Sequence, residues 1–461
     1  MKTVTDKNGV LYELAGLIGH GGQGTVYAVK GGRLAVKIME RASQAQRDRL
    51  RTQLAHVRRL PLDDLALARP IEMLREPHTG YVMEMLTGMV PIKSLITSKE
   101  QRVPSSGWYL GSGGLQRRLL LLAKAAHVIS QLHGKGIVFS DLSPTNIFVS
   151  RSQTASEVWL IDTDNLQYES NPGDGVFTLG YGAPELVRGA SGVSTLSDVF
   201  ALAVLAFQTL TLVHPFIGDM VSDGDAELEE QAFAGLLPWI DAPDDVRNRA
   251  SFGVPREWVL SARMFEAFRK VFGPGRTDPC ARPGSEEWAD MLFSAADSTI
   301  VCPSCSGTSY FNSVSCPWCG QPRPAFVTAA FHLWDPSFGL KGGILTKPSE
   351  AAKRPVLVGH GAFSEGQTFF ITRRLAFGHS NGPVYEPVVS MTFAGNRIKL
   401  RSVDGKVYHL SSPTGNQQSE IGDVETIVKL EDRQGSWRIH FGDNNSIHRV
   451  ASLELRRGGS V

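Results

Sequence analysis

Cysteine is scarce in this chain: five residues among 461. That is too few for a disulfide scaffold, and an odd count leaves at least one thiol without a partner. Long apolar runs are missing too. The longest charge-free apolar-rich stretch, 199–213, is interrupted by Gln208 and by threonines and falls short of the roughly 18–20 residues that cross a bilayer. Nor is there an excess of one charge: 47 Lys and Arg stand against 46 Asp and Glu, a net charge of +1. The balance gives no global electrostatic reason to expect nucleic acid or an anionic membrane as partner. Residues 1–12 lack the apolar core of a secretory signal. These absences predict a soluble, cytoplasmic protein with no membrane span. What is present, 42% hydrophobic and 20% charged residues, is ordinary globular material, and the length suggests two to four domains at roughly 100–200 residues each.

Composition divides the chain. Residues from about 5 to 86 read as β-rich with one helical interruption, and 115–295 as mostly helical, with apolar-periodic segments at 115–133 and 197–213. A compact cysteine segment occupies 302–319. After Gln321-Pro322-Arg323-Pro324, a short stiff linker, the remainder is rich in Val, Ile, Phe and Tyr at strand spacing. Two polar stretches, 97–114 and 170–175, read as exposed loops.

Near the N-terminus, Ile18-Gly19-His20-Gly21-Gly22-Gln23-Gly24-Thr25-Val26-Tyr27 matches the pattern G-x-G-x-x-G-x-V. Glycines let a hairpin lie close over phosphates, with backbone N–H groups exposed and no Cβ in the way. A Gly-rich turn between strands needs no ligand, so the signal gains weight only from its neighbours in the chain. The dinucleotide fingerprint would open a helix, whereas Thr25-Val26-Tyr27-Ala28-Val29 continues as strand. One short strand later, Leu34-Ala35-Val36-Lys37-Ile38-Met39 sets a lysine among apolar neighbours. It is either a snorkelling surface lysine or an ammonium held against phosphates, and its place after the glycine loop favours the second. Asp141 and Asn146 stand five apart between apolar strands, and Val158-Trp159-Leu160-Ile161 delivers Asp162. A carboxylate leaving a buried strand is costly unless a cation or hydrogen bonds receive it. Two Asp and an Asn converging on phosphates make an oxygen-rich site suited to Mg²⁺.

With these residues the chain resembles the protein kinase family over roughly 290 residues. Gly19, Gly21 and Gly24, with Val26, match the glycine-rich loop, and Lys37 matches the lysine that holds the α- and β-phosphates. Tyr81-Val82-Met83-Glu84-Met85-Leu86 resembles the strand that runs into the hinge, with Met83 as gatekeeper and the backbone near Glu84 and Leu86 taking the adenine of ATP. Asp141 matches the catalytic base, Asn146 a metal ligand, and Asp162 the metal-binding Asp that precedes Phe-Gly in the family. Thr178-Leu179-Gly180-Tyr181-Gly182-Ala183-Pro184-Glu185 resembles the substrate-positioning loop ending in Ala-Pro-Glu. Asp198 resembles the buried Asp that braces the catalytic loop, and Arg282 the late Arg that pairs with the glutamate, here Glu185. Antibiotic and choline kinases share the metal logic but lack that segment, which disfavours a small-molecule kinase.

The departures from the family carry information. No Glu occurs anywhere in 41–71 to hold Lys37, and helical register puts Gln53 in that place, with Asp48 as the alternative. Phe139 and Ser140 replace the His-Arg that usually precedes the catalytic Asp, so an activation-loop phosphate lacks its dock and activity is not expected to depend on one. Ser143 replaces the catalytic-loop Lys. Phosphoryl transfer depends mainly on positioning and metal electrostatics, and Lys37, Asp141, Asn146 and Asp162 remain.

Cys302-Pro303-Ser304-Cys305 and Cys316-Pro317-Trp318-Cys319 are two C-P-x-C knuckles separated by ten residues. Four thiolates so paired make a closed tetrahedral site, and the segment resembles a zinc ribbon holding structural Zn²⁺. Cys280 is then the spare thiol, expected to pack inside the kinase lobe. Nine acidic residues and no Lys or Arg fall in 219–245, and six Arg crowd 41–59; a solvated face is the simpler reading of each. Ile398-Lys399-Leu400-Arg401-Ser402-Val403, then Asp404-Gly405, then Lys406-Val407-Tyr408-His409-Leu410, reads as a hairpin with a type I′ turn. The last 135 or so residues suffice for a sandwich or barrel, and their scattered histidines (His360, His379, His409, His440, His448) form no catalytic cluster.

The expected fold is α+β: a two-lobed kinase (1–86 and 87–296), a zinc ribbon (300–322) and an all-β interaction domain (326–461). The expected function is ATP- and Mg²⁺-dependent transfer of the γ-phosphate to Ser or Thr hydroxyls of a protein substrate. The alternative is a nucleotide-binding pseudokinase scaffold that assembles signalling partners. The kinase–ribbon–β order also resembles bacterial kinases that work beside a protein phosphatase and a von Willebrand factor A protein, which implies such partners.

Overall fold

The computed structural model describes residues 2–21, 24–39, 43–96, 106–170, 175–338, 344, 355–378, 383–413, 418–430, 436–443 and 445–458. They fall into two compact units, 1–113 with 117–292, and 114–116 with 293–461.

The first unit begins with an antiparallel sheet built from β1 (Thr3–Thr5), β2 (Leu11–Gly21), β3 (Gly24–Val29), β4 (Leu34–Ile38), β5 (Glu72–Met73) and β6 (Gly80–Glu84), in the order β1-β2-β3-β4-β6-β5. Val4, Val29, Val36, Leu74 and Val82 meet on one face, as period-2 strands require. Helix α1 (Gln44–Val57) supplies the helical interruption; Ser43 and Gln46 close a capping box at its start, and Leu54 packs on Met39, Met73 and Tyr81. Gly24 is a residue the fold cannot replace. Its φ of +150° is joined by a close approach to Ile38, whose carbonyl oxygen would sit inside any Cβ placed there.

The rest of the first unit is helical around short strand pairs. Beside α2 (Ser106–Gly111) and α3 (Gly114–His133), strands β7 (Met89–Pro91), β9 (Ile147–Ser150) and β10 (Val158–Leu160) form one small sheet, and β8 (Ile137–Val138) pairs with β11 (Gln167–Tyr168). Next come α4 (Pro184–Val187), α5 (Thr195–Thr211), α6 (Asp219–Ser222) and α7 (Ala226–Phe233), and then α8 (Arg256–Val259), α9 (Ala262–Phe272) and α10 (Ser285–Asp297). Helix α5 is apolar on nearly every side and is buried on nearly every side. Phe200 and Phe207 pack with Phe216, Trp239, Phe268 and Phe272 at ring-centroid distances of 5.1 to 6.0 Å.

In the second unit, β12 (Thr299–Val301) and β13 (Thr308–Tyr310) form a hairpin that carries the first cysteine knuckle. The sandwich after it consists of β14 (Phe326–Trp334), β15 (Leu357–Ser364), β16 (Thr368–Thr372), a short α11 (Arg373–Phe377), β17 (Pro387–Ala394), β18 (Arg397–Ser402), β19 (Tyr408–Ser411), β20 (Gln418–Ile421), β21 (Thr426–Lys429), β22 (Trp437–His440) and β23 (His448–Arg456). A six-stranded sheet, β15-β14-β23-β22-β19-β20, and a four-stranded one, β16-β17-β18-β21, share a core that includes Val327, Phe331, Met391, Leu400, Leu410 and Ile439.

Three expectations need correcting. The run through Asp404-Gly405 is not a hairpin: β18 pairs with β17 and β21, while β19 pairs with β20 and β22. The Asp404 carboxylate accepts from Lys406 N and from the Tyr408 hydroxyl, so the turn passes the chain from one sheet to the other, and the apolar faces meet across the core instead of side by side. Of the polar stretch 97–114, residues 106–111 are helical, and 97–105 lie outside the described residues, as do 171–174. Cys280 is exposed, not packed inside the lobe. His379 also lies outside the described residues.

Candidate active site

The loop between β8 and β9 places Asp141 and Asn146, and β10 places Asp162. The Ile161 amide donates to the Asn146 carbonyl at 2.9 Å, which ties the two segments together. Asn146 Nδ2 donates to the Asp141 carbonyl (2.9 Å) and to Asp141 Oδ2 (3.1 Å), and the Thr178 hydroxyl donates to Oδ1 at 2.7 Å. Both Asp141 oxygens are therefore aimed by neighbours. The loop itself is braced from beneath by α5. Asp198 accepts from the amides of Phe139 (2.7 Å) and Ser140 (2.9 Å), and His133, bonded to Ser285 through its other nitrogen, adds a contact at 3.1 Å. Ser140 sits at a φ of +76°, a conformation non-glycine residues adopt only when such contacts hold them. Its hydroxyl donates to the Asn165 carbonyl and accepts from Gln167, so its polar atom is engaged locally. Ser143 is fully buried against Thr145.

Lys37 lies on β4 opposite Val26 and Tyr81. Its side chain is only 3% exposed. Nζ donates to Asp162 Oδ1 at 3.0 Å and to both oxygens of Asp164 at 3.3 Å. The expected partners are engaged elsewhere: Asp48 accepts from Gln44 and faces Arg51 on the exposed side of α1, and Gln53 Nε2 donates to the carbonyls of Asp164 (3.3 Å) and Leu166 (3.0 Å). Burial pushes the Asp164 carboxyl up, Lys37 pulls it back down, and Asp162 adds to the rise. Asp164 is a site residue that no sequence motif names. A signal for it does exist: a second Asp where the family has Gly, two residues past Asp162, in a segment otherwise buried.

Gly19 and Gly21 of β2 face β3 in the hairpin, with Gly21 opposite Gly24; Gly22 and Gln23 lie outside the described residues. Met83 and Glu84 end β6, and the Met85 amide donates to the Arg33 carbonyl at 3.1 Å just before Leu86. Below the site, Arg282 forms a bidentate pair with Glu185, 2.8 Å on each arm, and also donates to the Gly275 carbonyl. The guanidinium is fully buried. Removing one partner of such a pair costs about 3–5 kcal/mol because the other charge stays buried alone. Glu185→Ala should therefore lower unfolding stability by that amount in urea melts of the chain, whereas Glu266→Ala, whose ion pair with Arg269 is exposed, should change it by less than about 1 kcal/mol.

The acidic stretch 219–245 is partly structural: Asp225 caps α7, Asp219 accepts from Ser251, and Asp241 pairs with Arg256. On α1, Arg51 and, just past its end, Arg58 pair with Glu76 and Glu72.

In the second unit the four cysteines converge. Their sulfur atoms lie within 4.8 Å of one another, with Cys302 3.7 Å from Cys319 and Cys305 3.6 Å from Cys316. A tetrahedron with metal–sulfur bonds of about 2.3 Å has edges of about 3.8 Å. The two knuckles repeat one geometry: Ser306 N donates to Cys302 O and Gly320 N to Cys316 O, both at 2.8 Å, and both donors have left-handed backbone. Burial opposes ionisation of Cys302, yet the amides of Cys305 and Ser304 bring its thiol down to about 7, while burial pushes Cys316 up to about 12. The donor set is compatible with Zn²⁺ and leaves no coordination position open.

Residues 12–258 match the family described as the protein kinase domain. The DNA damage-responsive serine/threonine-protein kinase RqkA of Deinococcus radiodurans is 28% identical over 225 residues, 45% of this chain and 31% of that protein. Serine/threonine-protein kinase Pkn1 of Myxococcus xanthus is 29% identical over 219 residues, 44% of this chain and 29% of its own. Serine/threonine-protein kinase PknB of Mycolicibacterium smegmatis is 26% identical over 224 residues, 45% and 33% respectively. The chain thus spans about a third of the length of these curated relatives. No helix among the described residues is long and apolar enough to cross a membrane.

Proposed function

Since the chain belongs to the protein kinase domain family, we propose that its first unit transfers the γ-phosphate of ATP to Ser or Thr hydroxyls of a protein substrate. The observation that carries this reading is the pair of contacts on Asp141, Asn146 on one carboxylate oxygen and Thr178 on the other. They hold a general base beside the segment that resembles the family's substrate-positioning loop. The substrate hydroxyl oxygen bonds to the γ-phosphorus, the bond to the bridging oxygen breaks, ADP leaves, and the hydroxyl proton passes to Asp141. Lys37 and the backbone of 19–24 neutralise and position the triphosphate. The side-chain oxygens of Asn146 and Asp162 are hard donors that fit Mg²⁺, which when bound screens the phosphate charge. Ser140, closed off by local bonds, supports activity that does not wait for activation-loop phosphorylation.

The test is γ-phosphate transfer to a cell extract depleted of nucleotides, with and without prior phosphatase treatment of the protein. Transfer at equal rates from both preparations is expected. Stabilisation of the chain by Mg-ATP with no transfer would instead identify a nucleotide-binding scaffold.

A further inference from the structure

We propose that Asp164 is the positioning residue for Lys37, in place of a helix glutamate, and that Gln53 serves as an uncharged clamp on the backbone that carries Asp164. The proposal rests on the kinase reading of this site. A buried ammonium needs a counter-charge, and two carboxylates compete for this one. Asp162 has a side chain 31% exposed and is the member that a phosphate-bound cation would draw away. Asp164 is 2% exposed and bonds to Nζ through both oxygens, so it is the partner that stays.

The backbone accounts for its position. Asp162 has φ +58° and ψ +45°, and a single 3-10 turn, Thr163–Asn165, comes directly after it. The turn swings the next acidic side chain back toward β4. Thr163, fully buried, fixes the turn by donating to the Ala68 carbonyl at 3.1 Å. Gln53 fixes its far end. Both of its partners there are carbonyl oxygens, so both need a donor, which an amide supplies and a carboxylate cannot. In the family the ion pair links the lysine to the helix, and the lysine is set when the helix is in place. Here the ion pair closes within β4 and the turn after β10, and the Gln53 side chain of α1 contributes neutral hydrogen bonds to that turn. Lys37 is therefore oriented by a carboxylate outside α1, and α1 acts on it through the neutral Gln53 bonds to the turn.

Gln53→Glu restores the residue type the family uses on this helix, yet it should lower activity, because a carboxylate would face two carbonyls and add repulsion near Asp164. Asp164→Asn should lower kcat/KM for Mg-ATP by about tenfold to a hundredfold, the scale of a misplaced catalytic group, and weaken Mg-ADP binding in calorimetry. In the double variant Gln53→Glu/Asp164→Asn the helix carboxylate gains a role, so kcat/KM should exceed that of Asp164→Asn alone. A purely structural role for the two residues would give additive losses with no such reversal. Gln53→Glu with raised kcat/KM, or Asp164→Asn equal to the wild type, would overturn the proposal. Should Asp164→Asn fail to fold, Gln53→Glu with kcat/KM at or above the wild type still overturns the proposal. Mg-ADP affinity reports on Lys37 even without turnover, so failure of the kinase reading (no transfer by the wild type) and failure of this inference are told apart.

Discussion

Asp162→Asn is expected to reduce γ-phosphate transfer by at least about 10³-fold, roughly 4 kcal/mol of transition-state stabilisation, while leaving the chain folded. The substitution keeps the shape of the side chain and removes its charge, which is what a hard cation requires. The fold should tolerate it because Lys37 keeps a carboxylate: Asp164, buried and bidentate, remains on Nζ when Asp162 is neutral. Thermal unfolding should stay within a few degrees of the wild type, and Mg-ADP affinity should fall. Affinity for ADP without Mg²⁺ should fall less, since Lys37 still meets the phosphates. Equal transfer by the wild type and Asp162→Asn would sink the enzyme reading, because the signal would then come from a contaminant or from chemistry elsewhere.

The groups around Asp162 are legible in sequence to different degrees, for a physical reason. Gly24, Lys37, Asp141 and Asn146 stand in local patterns of glycines and apolar strands, whereas Glu185 and Arg282 are named by the resemblance to the kinase family. The structure brings the last two into a bidentate contact although 97 residues separate them. The partner of Lys37 is not legible on α1, where the family keeps it and where the sequence offers Gln53 and Asp48. Its position follows from the handedness of one residue, Asp162, which no period-2 or period-3.6 pattern reports. The turn at Asp404-Gly405 is misread for a similar reason. Alternation shows that 398–402 and 408–410 each have an apolar face, but not whether those faces lie side by side in one sheet or meet across two. Only the pairing of β18 with β21 and of β19 with β22 decides it.

The cysteine site is the most legible feature, because the spacing of four thiols is itself the geometry, and it supports the other large expected effect. Removing the metal with a zinc chelator, or making Cys302→Ser, should unfold residues 302–320 without unfolding the sandwich. The segment has little core of its own: Ile300, Phe311 and Phe326 with Ala362 form a small cluster beside it. In small finger peptides metal ligation contributes about 10–16 kcal/mol, more than such a cluster supplies. The sandwich has an independent core running from Val327 to Leu453 across both sheets. The links between the two are that small cluster, whose Phe326 and Ala362 belong to the sandwich, and the Ser364 hydroxyl, which accepts from Val301 N at 3.2 Å and donates to Val301 O at 2.9 Å; both are small beside the core of the sandwich, so unfolding should stop there. Hydrogen exchange should therefore show amide protection lost at Cys302, Ser306, Cys316 and Gly320, whose bonds close the knuckles, and retained along β17 and β18. One Zn²⁺ per chain should be released, measurable with a colorimetric chelator. Loss of protection in β17 together with the knuckles would show that the metal holds the whole unit, and retention at the knuckles would show that no metal is needed there.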